Sequence, residues 1–153
     1  MKYVALSLAV VFAVCLLVTG YLFLTCDVRV VSLGVRQPVL AADDPDTFGQ
    51  INARIVSGGG EDLGDIRDYV FYTWRIGVNN TTFAPLEMVQ ATVAGAPGDI
   101  GMVGRGEPIR IDPRSSGEIE IMVLARTGTG ARRQATVTWR LWGREDSLQL
   151  RVE

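Results

Sequence analysis

The pattern of apolar and polar positions divides the chain at one place. Tyr3 to Leu24 is a run of 22 residues without a charge. From Asp27 onward apolar and polar residues alternate instead, the period of a strand whose successive side chains point to opposite faces. In YVFYTWRIGVNN, Val70, Tyr72, Trp74, Ile76 and Val78 share one face, and Arg75, Gly77 and Asn79 the other. Ile119, Ile121 and Val123 alternate with Glu118, Glu120 and Met122; Val137, Trp139 and Leu141 alternate with Thr136, Thr138 and Arg140. Leu148, Leu150 and Val152 continue the pattern to the last residues. Shorter candidates are 28–35, 50–56, 86–93, 101–103 and 108–111.

Turn-rich stretches separate these runs: DDPD, SGGGEDLGD, GAPGDIG, GRGEP, DPRSSG and RTGTGARR. Glycine supplies positive φ in such turns and proline presets its own φ. No stretch after Leu24 sustains a 3.6-residue apolar period, and EDLGDIRDY has room for one helical turn. The expected fold is therefore all-β, about seven to nine strands in a β-sandwich, with a small barrel as the alternative.

The first segment has three readings. As a helix it measures about 33 Å, enough for the ~30 Å hydrocarbon core of a bilayer. A cleaved signal has a shorter apolar core and a small-residue exit; here VLAAD at 39–43 lies far beyond the run. A lipid-attachment cysteine follows a small residue, whereas Cys26 follows Thr25. Length favours an uncleaved signal-anchor transmembrane helix at 1–26, with 27–153 as an extracytoplasmic domain. The expected location is a cell membrane, single-pass, with the bilayer itself as one partner. Ala5, Ala9 and Ala13 recur every four residues, a spacing that lets membrane helices approach closely. They are the candidate helix-association face for a homodimer, and Cys26 is the candidate intermolecular thiol.

The strand Tyr-x-Trp-x-Ile-x-Val-x-Asn, the following APLEMVQATV and the later IRIDPRSSGEIEIMV are similar to bacterial immunoglobulin-like modules. The likeness covers roughly Tyr69 to Val152. It implies an immunoglobulin-like β-sandwich serving as a spacer, adhesion unit or subunit of an envelope complex. It carries over no catalytic residue. The disulfide of antibody domains is absent, so the resemblance implies that Trp74 packs on aliphatic side chains.

Charge and composition narrow the chemistry. Residues 27–153 hold 14 basic and 17 acidic side chains, a net of −3. That balance lacks the clustered basic face nucleic acid requires. The chain has no histidine, which removes the usual general base near neutral pH and excludes Ser-His-Asp and Cys-His arrangements. Cys15 lies within the apolar run, so no internal disulfide or cysteine-based zinc site is expected in the folded part. Glu61, Asp62, Asp65 and Asp68 are candidate oxygen ligands for calcium in a glycine-rich loop, though their spacing is not that of an EF-hand; a plain polar loop is the other reading. Asp43, Asp44 and Asp46 resemble a hinge. NNTT holds two overlapping Asn-x-Thr sequons and reads as a turn. GAPGDIGMVGRGEP lacks the Lys-Ser/Thr ending of a phosphate loop and reads as an edge excursion.

Tyr69 and Phe71 fall opposite Trp74, and Trp142 opposite Trp139. Two-sided apolar strands are central or are covered by a partner, which makes these three residues a candidate partner surface. The expectation is a non-enzymatic, membrane-anchored interaction or structural protein of the cell envelope, with a protein partner and without cofactor. The alternative is a ligand- or calcium-binding sensory ectodomain that works through helix association.

Overall fold

The computed structural model describes residues 2–25, 27–102 and 107–152. Within the first helix, its side chains are described at Val4 and from Ser7 to Tyr21. That helix, α1, runs Lys2–Thr25. Its described large side chains, Leu8, Phe12 and Leu17 among them, are exposed. The expected membrane span is corrected: among the described residues, no helix is long and apolar enough to cross a membrane. The single-pass anchor and the cell-membrane placement are withdrawn with it.

Nine strands follow among the described residues: β1 Val28–Val35, β2 Val39–Leu40, β3 Tyr69–Asn80, β4 Leu86–Val93, β5 Asp99–Met102, β6 Ile109–Ile111, β7 Ser115–Arg126, β8 Arg133–Leu141 and β9 Arg144–Val152. They form two antiparallel sheets, a β-sandwich. The first has the order β1-β3-β7-β5, with β2 also on β3; the second has the order β6-β4-β8-β9. The backbone of the first is the unbroken pairing of β3 with β7, from Tyr69↔Arg126 to Asn80↔Ser115. β1 lies antiparallel to β3, with a bulge between Ser32 and Gly34. Gly34 has φ 102° there, a backbone state that glycine adopts without a Cβ clash.

The alternation that marks these strands also fills the space between the sheets. Trp74, Ile76 and Val78 meet Ile119, Ile121 and Val123 of the same sheet, with Leu86, Val89 and Val137 from the other. Burying large apolar side chains of this kind contributes about 1.5–3 kcal/mol each relative to exposure. At the rim, the polar tips of two core aromatics meet backbone carbonyls. Trp74 Nε1 donates to the Ala131 carbonyl at 3.0 Å and Tyr72 Oη to the Thr129 carbonyl. Arg133 on β8 pairs with Asp99 on β5 at 2.7 Å, a nearly buried ion pair that ties one sheet to the other. Arg133 also donates to the Gly130 carbonyl.

The expected all-β fold is corrected in one segment. Residues 50–56, where a strand was expected, belong to α2, Pro45–Ser57. Asp44 is its N-cap, accepting from the Thr47 amide at 3.2 Å, with Pro45 in the first turn. Both residues are favoured there: an Asx oxygen takes an orphan amide, and proline has none to leave unpaired. The stretch DDPD is thus a helix start rather than a hinge. Gly59, φ 86°, follows the last turn, the left-handed state in which helices commonly end on glycine. The turn anticipated in EDLGDIRDY is a 3-10 turn at Ile66–Asp68.

Candidate functional site

The outer face of the first sheet falls into three parts, set by which residues alternate outward. At one end Tyr69, Phe71 and Leu124 form a second core with Phe48 of α2 and Ala41 of a 3-10 turn, Ala41–Asp43. Phe48 and Tyr69 rings lie 5.4 Å apart, and Tyr69 Oη donates to the Leu63 carbonyl at 2.7 Å. In the middle runs a ladder of charges: Arg36 to Glu120 at 2.7 Å, and Arg75 to both Glu120 and Glu118. The hydrogen bond from Arg75 holds the Glu118 carboxyl below the usual carboxylate range, and the same contact raises the Arg75 guanidinium.

Beyond the ladder the face hollows. Gly77 has no side chain, and Leu33 of β1 leans over it, so close that a Cβ at Gly77 would lie 3.2 Å from a Leu33 methyl. Val31 pairs with Gly77; Val31 is 52% exposed and Leu33 51%. The depression has a volume of about 470 Å³, with Asn79, Ser116 and Glu118 on its rim. It has an apolar floor and a polar border beside the edge strand β1. Desolvating two half-exposed aliphatic side chains against a partner gains free energy, and the border groups can fix orientation.

The end of the sandwich next to this hollow is built by three connections: 81–85 between β3 and β4, 112–114 between β6 and β7, and 142–143 between β8 and β9. Asn80 locks the first two together. Fully buried, its amide donates to the carbonyls of Ala84, Ile111 and Asp112 at 2.9–3.1 Å. Its oxygen accepts from the amide and hydroxyl of Thr82. Arg114 lies over the Phe83 ring, 4.3 Å from its centroid. At the hairpin tip Trp142 and Gly143 both have positive φ, 50° and 77°, as in a type I′ turn. A bulky side chain is rarely found so, at a cost of about 1–3 kcal/mol.

The sequence-derived candidates are placed as follows. Tyr69 and Phe71 are each 3% exposed; they are corrected from partner surface to core, because α2 and its preceding turn cover them. Trp142 is 58% exposed. Asp62 accepts from the Gly64 amide at 2.7 Å and Asp65 from the Arg67 amide at 3.0 Å, both as local turn acceptors. Glu61 and Asp68 do not join them, for among the described residues no group of three or more acidic, Cys or His side chains converges on one point. Ala9 and Ala13 lie exposed on α1, as does the free thiol of Cys15. The Ala5 side chain and Cys26 lie outside the described residues. Sequence reasoning missed the hollow over Gly77. Its signal was an outward glycine in an otherwise full strand, opposite an edge strand that carries apolar residues on both faces.

No protein-family model and no curated protein matches the chain. Among solved structures, it is similar to a FixG-related protein from Vibrio parahaemolyticus, 14% identical over 83% of this chain and 94% of that one, with a TM-score of 0.41. A β-sandwich protein from Clostridium difficile is 9% identical over 54% of this chain and 65% of that one, with a TM-score of 0.23. On its own strand pairing, the chain is a β-sandwich of two antiparallel sheets.

Proposed function

We propose that this chain is a non-enzymatic protein-interaction module with an immunoglobulin-like strand arrangement. The observation that carries the reading is the open apolar hollow over Gly77, bordered by polar groups and continuous with an edge strand. Exposed apolar side chains rimmed by polar groups favour an interaction site. The strand order supports the immunoglobulin-like part. With the short β2 and β6 set aside, the seven remaining strands group as first, second, fifth and fourth in one sheet and third, sixth and seventh in the other, the grouping of the constant-type domain. The absence of histidine from the chain supports a binding role over acid–base catalysis.

The test is capture of partners from the native cell by the tagged full chain, compared with Gly77→Glu and Val31→Asp variants. Both changes put charge into the hollow and leave the inter-sheet core untouched. A specific partner of the wild type should fall by about tenfold or more with each variant, the effect of losing about 1.4 kcal/mol, while the melting temperature stays within a few degrees. Equal recovery by all three proteins would overturn the reading.

A further inference from the structure

We infer that the loop end bearing Phe83, Arg114 and Trp142 is a recognition surface for a protein segment that carries a carboxylate between apolar side chains. This surface is separate from the hollow over Gly77 and goes beyond it.

Strand register brings the three connections together. Asn80 pairs with Ser115, Leu86 with Ile111, and Arg140 with both Glu87 and Glu145. The segments beyond those pairs, 81–85, 112–114 and 142–143, therefore leave the sandwich at the same end. Asn80 fixes two of them through its buried amide, so the surface is built in advance of binding.

Backbone strain singles out the same place. Among the described residues, three non-glycines have positive φ: Met88 at 53°, Arg114 at 59° and Trp142 at 50°. All three belong to this end or to the β4 bulge beside it. A two-residue hairpin with both φ positive is best made by Asn-Gly or Asp-Gly, yet here the first place is held by tryptophan. Met88 and Trp142 are both more than half exposed and Phe83 nearly so. Strained backbone beneath exposed apolar side chains is what a binding surface retains and a merely stable turn does not.

The chemistry of the partner follows from Arg114. Its guanidinium stacks on the Phe83 face, and among the described residues no carboxylate pairs with it, the nearby Asp112 being paired with Arg110. A guanidinium is planar, and its N–H donors match a carboxylate in two-point fashion. A carboxylate on Arg114 lies beside the Phe83 ring, with the exposed Trp142 at the same end of the sandwich, so its neighbours in the partner are apolar. Aromatic and arginine side chains are also those that dominate binding energy at protein interfaces.

The experiment uses the full chain against an array of synthetic peptides, each with one Asp or Glu between Leu, Ile, Phe or Trp residues. Matched peptides carry Asn or Gln in place of the acid. Acid-bearing peptides should bind at least tenfold more tightly than their amide counterparts. Arg114→Gln should erase that difference. Trp142→Asn should weaken binding by about tenfold while the melting temperature stays level or rises, since asparagine fits the turn better. Gly77→Glu should leave peptide binding unchanged, which separates this surface from the hollow. The inference is overturned if acid and amide peptides bind alike, or if Trp142→Asn leaves binding intact. It is equally overturned if binding falls only as the melting temperature collapses. Sedimentation that finds a dimer of the chain abolished by Trp142→Asn would assign the surface to a second copy and also overturn it.

Discussion

Asn80 is the residue on which the loop end turns. It is buried, and its side chain answers three carbonyls, an amide and a hydroxyl. Asn80→Ala leaves several of these buried and unpaired, at roughly 1–3 kcal/mol for each group. The expected loss is about 3 kcal/mol, read in thermal denaturation as a drop of about 10 °C. The sequon around it looked like an exposed turn because Asn-Asn-Thr-Thr carries only turn chemistry; that one of the two asparagines faces inward follows from register, which is set by strands on either side. Asn79, its neighbour, points outward. A second residue-scale prediction concerns Glu118. Its folded-state pKa lies below the ordinary value, chiefly through the Arg75 hydrogen bond. The stabilisation is therefore present above the unfolded-state pKa and is lost as pH falls through the folded-state value. Both side chains meet solvent, so the effect is small. Melting temperature against pH should fall less steeply on the acid side in Arg75→Gln than in the wild type; an identical slope would show that the pair contributes nothing.

At the scale of elements, α2 decides what the outer face of the first sheet can offer. Its inward stripe is Phe48, Ile51, Asn52 and Ile55, spaced three and four apart, and the Asn52 carboxamide accepts from the Leu63 amide at 3.0 Å. The stripe was hidden in the sequence because Ile51, Ala53 and Ile55 also alternate, and a polar residue interrupts the helical pattern. The cap was in plain view: Asp-Pro before the stripe and glycines after it are start and stop signals for a helix. Once the helix is seen, the two-sided apolar pattern of β3 no longer asks for an external partner at Tyr69 and Phe71. Phe48→Ala removes the ring that covers Tyr69. It should cost about 3 kcal/mol and raise the accessibility of Tyr69, measured by tyrosine fluorescence quenching. The bounds of β1 and β4 were legible from alternation alone, whereas β5 and β6 sit in a glycine-rich excursion where alternation is too short to fix an edge.

For the whole molecule, the two sheets arise directly from alternation, because each strand buries one face and a second sheet must cover it. Which strands neighbour which was not legible, since pairing depends on contacts distant in sequence. The hollow over Gly77 exists only once β1, β3 and β7 lie side by side, with Leu33 leaning on a residue that has no side chain. The polar outer face of the second sheet offers an internal control: Thr136 and Thr138 lie there between β4 and β9. Whether a partner binds in the hollow is read by placing a photo-crosslinking amino acid at Leu33 in living cells, with the same group at Thr136 for comparison. A discrete crosslinked protein is expected from position 33 and none from position 136. No crosslink at 33, or the same products from both positions, would contradict it.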